Sequence, residues 1–447
     1  MYPWIARNLI YFPVQKLRGE TIRKYLREVQ DFEQLSPEQM RQVQWQKLKM
    51  MLTRAVADSP YYRQLLQSRG IDVRDIHTFD DFRLIPFLTK SIIHDHFDEL
   101  ISRRRYRTSA RRTSGSTGIP TPIIKDRQAT AYMDAYMYHV YSWHGIGIGT
   151  RQARVWGMPF GFVPKALTRA KDIAFNRKRL IAFNITTESA IAYYETILKF
   201  RPYFFYGQIH AMTEFCRILI ESGRDPAKLG FQVIVTTGEL QVSALKQYLE
   251  ESFRCRVVDE YGCTEAGIIA FECPFGTMHA ANHNLLLEVI DPATNSPVAA
   301  GEEGEVAITE LHGNAMPLIR YRIGDLVRSE PSPCACGRNS QAIAGIVGRT
   351  SEMIVTPDGR HVNASILAYC VPKQIKRFRA VQHETEKLEV LLQSASPLSA
   401  GAAADFRKKL TSYLGNHITV EIACVDNIPP ERSGKLRYFV SDIRNTI

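Results

Sequence analysis

Thr113-Ser114-Gly115-Ser116-Thr117-Gly118-Ile119-Pro120-Thr121 is the stretch from which the rest of the chain is read outward. Glycines and small hydroxyl residues let backbone N–H groups come close to an anion, and the hydroxyls add further donors. The stretch is not a Walker A loop, because no Gly-Lys-Ser/Thr stands at the required spacing. Alone, such a run is also what a plain loop looks like. Its meaning depends on the rest of the chain.

From 113 to about 345, short β-rich runs alternate with longer helical stretches. Val233-Ile234-Val235-Thr236 and Glu305-Val306-Ala307-Ile308 are two of the runs. Asp291-Pro292-Ala293-Thr294-Asn295 and Gly301-Glu302-Glu303-Gly304 are turns between strands. The fold class is α/β. Upstream, residues 1–110 form a helical leading part. Ser36-Pro37-Glu38-Gln39 opens a helix running through Trp45, Leu48, Met51 and Leu52 towards Ala57. Ser59-Pro60 ends it and starts another. Trp4 to Leu17 carries Ile5, Leu9, Ile10, Phe12 and Val14 among few charges. It reads either as a helix or strap packed on the body, or as a membrane-surface or partner contact. Downstream come the strand-like Met353-Ile354-Val355, the turn Pro357-Asp358-Gly359 and a helix near 364–373. Lys387–Leu392 is the next strand, and a helix near 400–415 comes after it. This last block has the size of a small α+β domain.

The composition is that of a globular chain, with 45% hydrophobic and 23% charged residues over 447 positions. Disorder, collagen and coiled coil are excluded as the main architecture. Basic residues outnumber acidic ones by 57 − 46 = 11, which favours anionic partners without choosing among them. A nucleic-acid module is not expected, because the chain has neither a known motif nor an aromatic platform. No apolar run approaches the roughly 18 residues of a spanning helix. Nothing near the N-terminus reads as a signal peptide, and a cytoplasmic location is expected. Eight cysteines are too sparse for a disulfide scaffold.

Three further motifs stand downstream of the first. Thr236-Thr237-Gly238-Glu239 precedes Asp259-Glu260-Tyr261-Gly262-Cys263-Thr264-Glu265. Next comes Ile319-Arg320-Tyr321-Arg322-Ile323-Gly324-Asp325-Leu326, and near the end Arg432-Ser433-Gly434-Lys435-Leu436. With all four in this order, the chain resembles the adenylate-forming acyl- and aryl-CoA synthetases. It is most similar to their phenylacetate–CoA ligase-like branch, including its CapK-type, capsular polysaccharide members. Asn8–Pro13 and Ser59-Pro60-Tyr61-Tyr62-Arg63 add to the CapK likeness.

The resemblance implies a large N-terminal adenylate-forming domain over 1–348 and a small mobile α+β lid over 349–447, hinged near 349–352. It implies an ATP-dependent, AMP-forming ligase that makes an acyl-adenylate and passes the acyl group to CoA thiol. Transfer to an amine or a hydroxyl acceptor is the alternative, in polysaccharide or secondary-metabolite assembly. A non-catalytic nucleotide-binding protein is a further alternative, disfavoured because such a protein has no chemical use for Lys435. By the same resemblance, Thr113, Ser114, Gly115, Ser116, Thr117 and Gly118 cradle the phosphates of ATP. Tyr261 stacks on adenine beside Gly262, with Gly238 and Glu239 on the opposite side. Thr264 contacts the α-phosphate region and Glu265 holds Mg²⁺. Asp325 accepts the ribose hydroxyls, Arg349 belongs to the hinge and Lys435 is the mobile adenylation cation. The departures are Ile119, where phenylacetate-activating members carry Lys, and Glu352, where the hinge usually has Asp or Lys.

Tyr136, Tyr206 and Gly207 are assigned to the acyl pocket by resemblance, with residues around 237–240 and 260; Tyr136, Phe160 and Tyr206 read either as the lining of an aromatic or fatty slot or as ordinary core residues. Gln208 and His210 leave room for a polar acid. Cys273 and His279, five intervening residues apart, and the Cys-x-Cys of Cys334 and Cys336 make a ligand inventory for structural Zn²⁺. The spacing is not that of a standard finger, but some members of the branch have a zinc at matching positions. Free thiols beside an unrelated histidine are the other reading, and His283 is a competing ligand. Arg103-Arg104-Arg105-Tyr106-Arg107 and Arg111-Arg112 read as a solvated loop, a CoA or nucleotide contact, or an acidic-lipid contact.

Overall fold

The computed structural model describes residues 2–19, 21–112, 121–157, 162–182, 185–238, 243–330, 333–349, 353–364, 367, 370–372, 375, 377–394, 396–428 and 438–443. The helix Pro37–Asp58 starts where the sequence places it. The Ser36 side chain accepts from Gln39 N at 3.3 Å, and Ser36 N donates to Gln39 Oε1 at 3.0 Å. This reciprocal box satisfies two of the helix's otherwise orphaned donors. The helix Pro60–Ser68 begins directly after it.

The strands, in chain order, begin with the hairpin β1 (Thr108–Arg112) and β2 (Pro122–Asp126). Next are β3 (Gln152–Trp156), β4 (Arg177–Ile181), β5 (Phe204–Gly207), β6 (Val233–Thr237) and β7 (Arg256–Cys263). Then come β8 (Gly267–Glu272), β9 (Met278–Ala280), β10 (Leu285–Ile290), β11 (Glu303–Glu310), β12 (Tyr321–Ser329) and β13 (Ala342–Arg349). Strands β3 to β13 join in one eleven-stranded sheet, in the order β10-β11-β12-β13-β9-β8-β7-β6-β5-β3-β4. The β4-β3-β5-β6-β7 half is parallel, and the remainder is antiparallel.

The parallel half is buried on both faces, which is why its strands read as continuous apolar runs. Side chains alternate between faces. Val233 and Val235 therefore enter one core with the leading helices, while Ile234 enters a second core. The helices Thr187–Phe200, Ile209–Glu221 and Ser243–Phe253 cover that second face. Gly207 sits where a Cβ would lie 2.4 Å from the Val155 carbonyl oxygen, so only glycine lets β5 and β3 approach as they do.

Buried ion pairs tie the layers together. Arg320 grips Glu288 with Nε at 3.1 Å and Nη2 at 2.9 Å, and its Nη1 donates to the Ile85 carbonyl at 2.7 Å. Lys125 of β2 pairs with Glu310 of β11, both sealed from solvent. Removing one member of such a pair strands the other charge and costs about 3–5 kcal/mol.

Beyond β13, the strands β14 (Met353–Val355) and β15 (His361–Asn363) pair with each other. β16 (Arg377–Glu384), β17 (Lys387–Gln393), β18 (Thr419–Val425) and β19 (Phe439–Ser441) form a sheet in the order β18-β17-β16-β19. The helix Ala400–Leu414, capped by Ser399, packs Phe406, Leu410 and Leu414 against Leu388, Val390 and Phe439. The helix expected near 364–373 lies largely outside the described residues. Among the described residues, no helix is long and apolar enough to cross a membrane.

Candidate active site

Parallel α/β sheets bind ligands outside the carboxyl ends of their strands. Here those ends bring together Trp156, Gly207, Thr237, Gly238, Glu260 and Tyr261. Gly238 leaves β6 with φ +75°, a left-handed conformation that suits glycine. Alternation along β7 puts Tyr261 and Glu260 on opposite faces. The Tyr261 hydroxyl donates to Asp325 Oδ2 at 3.0 Å. Asp325 is buried on β12 and pairs in register with Arg349 of β13, whose backbone alone is described.

Glu265 lies in the turn between β7 and β8. It is buried and accepts from the Tyr321 hydroxyl at 2.9 Å. That leaves carboxylate lone pairs for a hard cation such as Mg²⁺. Burial and the neighbouring Glu265 carboxylate push the Tyr321 phenol well up, so it stays a donor. Thr264 is exposed beside it, and its carbonyl accepts from Arg111 Nη1 at 3.4 Å. Arg111 is on β1, so the hairpin that leads into the Ser/Thr/Gly stretch ends beside Thr264. Gly262 is needed for closeness, since a Cβ there would lie 2.6 Å from the Gly267 carbonyl oxygen.

Tyr261, Gly262, Thr264, Glu265, Asp325 and Gly238 thus share one region of the sheet. Thr113 to Gly118, Glu239, Phe160 and Lys435 lie outside the described residues, as do hinge positions 350–352.

On the other face, Glu260 is buried. Its Oε2 accepts from the Tyr141 hydroxyl at 2.5 Å and its Oε1 from the Tyr206 hydroxyl at 3.0 Å. Burial raises its carboxyl above the usual range. Tyr206 and Gly207 therefore stand at the strand ends. Tyr136 is buried, as the core reading expects. Its ring stacks on His283 at 4.7 Å, and its hydroxyl donates to the His279 carbonyl at 3.2 Å. Sequence reading missed Tyr321, Tyr141, Trp156 and Arg154, which lie in no recognisable motif or carry no conspicuous chemistry in one.

A second cluster lies at β9 and the segment before β13. One ligand atom from each of Cys273, His279, Cys334 and Cys336 falls within 4.8 Å of the others. Cys273 Sγ and Cys334 Sγ are 3.7 Å apart, and Cys336 Sγ is 3.2 Å from His279 Nε2. Tetrahedral zinc with Zn–S near 2.3 Å places sulfurs about 3.8 Å apart, so the donor set fits that ion. Backbone N–H groups of Phe275 and Cys336 point at Cys273 and Cys334 sulfur, at 3.3 and 3.4 Å. Ser340 engages His279 Nδ1 at 3.2 Å, a second contact that orients the ring. His283 is buried elsewhere, against Tyr136 and Tyr132.

Residues 354–442 match the CapK C-terminal domain family. The chain is 25% identical to a phenylacetate-coenzyme A ligase of Escherichia coli K12, over 93% of its own length and 97% of that protein. It is 25% identical to the Thermus thermophilus enzyme of the same name, over 73% and 74% of the two chains. Identity to Protein CapK of Staphylococcus aureus is 21%, over 87% and 86%. Among solved structures, 2-hydroxyisobutyryl-CoA ligase in a postadenylation state with an acyl-AMP superposes with a TM-score of 0.74 at 19% identity, covering 92% and 91%. The fold is that of the adenylate-forming CoA ligases.

Proposed function

We propose that this chain, built on the adenylate-forming CoA ligase fold and similar over most of its length to phenylacetate–CoA ligases and CapK, is an ATP-dependent, AMP-forming carboxylate ligase. The observation that carries the reading is the meeting of Tyr261, Asp325 and the Glu265–Tyr321 pair at the strand ends. A carboxylate oxygen attacks the α-phosphorus of ATP, the bond to the β-phosphate oxygen breaks and pyrophosphate leaves. A thiol of CoA then attacks the acyl carbon, and AMP departs with the electron pair of the cleaved C–O bond. Asp325 receives the ribose hydroxyls, and Tyr261, held by Asp325, offers its ring to adenine. Glu265 holds Mg²⁺, which neutralises phosphate charge when bound. The Ser/Thr/Gly stretch 113–118 supplies backbone donors, and Lys435 supplies the positive charge between carboxylate and α-phosphate.

Lys435 reaches the site if 349–447 moves as a lid against 1–348, with the pivot near 349–352. That residues 354–439 close a core of their own supports this division. A second reading of the acceptor is an amine or a sugar hydroxyl in place of CoA, in the polysaccharide setting that the likeness to CapK suggests. Zinc held by Cys273, His279, Cys334 and Cys336 has a structural role, since four protein ligands close the site.

The leading segment Pro3–Arg18 is helical. It buries Ala6, Tyr11 and Gln15 and exposes Trp4, Leu9 and Leu17 beside Arg7, Lys16 and Arg18. It is both the packed strap and, on its outer side, a surface suited to peripheral contact with an acidic membrane.

ATP–pyrophosphate exchange across aryl, fatty, amino and hydroxy acids, with Mg²⁺ and without CoA, tests the ligase reading. Exchange with one class establishes adenylation. Absence of ATP binding removes the reading.

A further inference from the structure

Strand β3 carries Gln152, Arg154 and Trp156 on the face that also holds Tyr206 and Glu260. The arginine packs against two aromatic rings there. Its Nε is sealed from solvent and has no hydrogen-bond partner among the described residues. Its guanidinium carbon stands 4.6 Å from the centre of the Tyr206 ring and 4.9 Å from that of Trp156. The two aromatics hold the cation in place without consuming its donors. Gln152 is buried too, and its Oε1 is likewise unpartnered among the described residues.

Arg154, Gln152, Arg177, Tyr141, Tyr206 and Phe204 border one cavity of about 110 Å³. That is room for a few waters or one small anionic group. Arg154 lies close enough to act on Glu260, the buried carboxylate that already accepts from Tyr141 and Tyr206. Asp172 is committed to Arg179, with contacts of 2.7 and 2.8 Å.

The cavity extends towards the amino ends of β3 to β5, where Gly147, Gly149 and Thr150 border it, and Arg154 and Tyr206 are its lining residues nearest the carboxyl ends. Trp156 marks those ends, since its ring reaches to 3.8 Å from where a Gly238 Cβ would be. Arg154 is two residues further in, about 7 Å along β3. We propose that the acid substrate carries a second anionic group at its distal end, and that Arg154 receives it in this cavity. The substrate class is then a dicarboxylate or an equivalent dianionic acid. This rests on the ligase reading, with the reacting carboxylate near Gly238 and the distal group inward.

The test uses the full chain and acids matched in length: adipate against hexanoate, and 4-carboxyphenylacetate against phenylacetate. Binding is measured by calorimetry without ATP, and kcat/KM by pyrophosphate exchange. The dianionic member of each pair should bind about tenfold or more tighter, as a charge-assisted contact in a buried site provides. Arg154→Met should abolish that preference, and Arg154→Lys should keep part of it. Equal affinity within each pair in the unmodified protein overturns the proposal, whether or not the variants fold. A preference that survives Arg154→Met in a folded protein does so as well. Calorimetry separates the two readings. Diacid binding without exchange leaves the subsite and removes the ligase. Exchange with monoacids as good as with diacids leaves the ligase and removes the subsite.

Discussion

The hydroxyl of Tyr261 donates to Oδ2 of Asp325 across 64 positions of sequence, at 3.0 Å. The bond fixes the edge of the aromatic ring against the residue proposed to receive the ribose. On the roles proposed for these two residues, it would make adenine and ribose recognition a single unit.

Asp325→Ala should therefore weaken ATP binding by about 10- to 100-fold, since hydrogen bonds to a charged group contribute about 1.5–3 kcal/mol. Tyr261→Phe keeps the ring and loses only the tether, so its effect should be smaller. Calorimetric ATP titration of both variants checks the order. Equal losses would mean that the tether, not the carboxylate, carries the contact.

Local chemistry made part of this legible in the sequence. The Ser36–Gln39 box and the apolar run Val233–Val235 announce a helix start and a doubly buried strand because only nearby residues are involved. Asp291–Asn295 is likewise a turn. Asn295 takes φ +59°, and Asp291 accepts from Ala293 N at 2.9 Å. Placement across long separations was not legible. Arg320 stands inside a nucleotide motif, yet it is spent on Glu288 and the Ile85 carbonyl. Tyr136 lies in the aromatic-rich helix Arg127–Ser142, where periodicity does not say which tyrosines meet the crevice and which meet His283. Arg154 gave no signal, because an arginine in a five-residue strand normally faces water.

Lys435→Ala should lower pyrophosphate exchange by about 10²–10³-fold, the usual loss when one preorganised donor to a developing charge is removed. ATP affinity should stay within a few-fold. Parallel loss of affinity would place Lys435 among the binding groups and not among those acting on the transition state.

The metal cluster predicts one zinc per chain by elemental analysis. Cys334→Ser should lose it and lower the melting temperature. A strong chelator should have the same effect on the unmodified protein, because structural zinc stabilises the folded state directly. Metal-free protein with unchanged melting would leave the four side chains as free thiols and an imidazole.

Trp4, Leu9 and Leu17 present apolar side chains beside Arg7, Lys16 and Arg18. The unmodified chain should cosediment with vesicles containing anionic lipid and not with neutral ones. Trp4→Ser combined with Leu17→Ser should reduce binding severalfold without altering pyrophosphate exchange. Raised salt should also weaken binding, since exposed charges are screened. Dimerisation lost in the same variant, without vesicle binding, would assign the patch to a second copy instead.

Asp259 supplies a pH test that depends on no ligand. It is buried on β7, and burial, with the nearby Glu272 carboxylate, raises its carboxyl to about 7, Lys246 only partly opposing the shift. The unfolded chain releases the same proton near pH 4. Between those values the folded state binds more protons, so this residue's contribution to stability falls as pH rises, by at most about 1.4 kcal/mol per unit. Below pH 4 both states are protonated and the residue imposes no penalty. Above pH 7 the full penalty is present. Asp259→Asn removes the titration while keeping the shape. Against the unmodified protein, it should be near neutral at pH 4.5 and more stable by a few kcal/mol at pH 8. Urea denaturation of both proteins at the two pH values measures the difference, and subtraction removes the shared titration of all other groups. A gain that is the same at both values would reflect packing, not ionisation, and would leave Asp259 charged at neutral pH, with Lys246 compensating both it and Glu272.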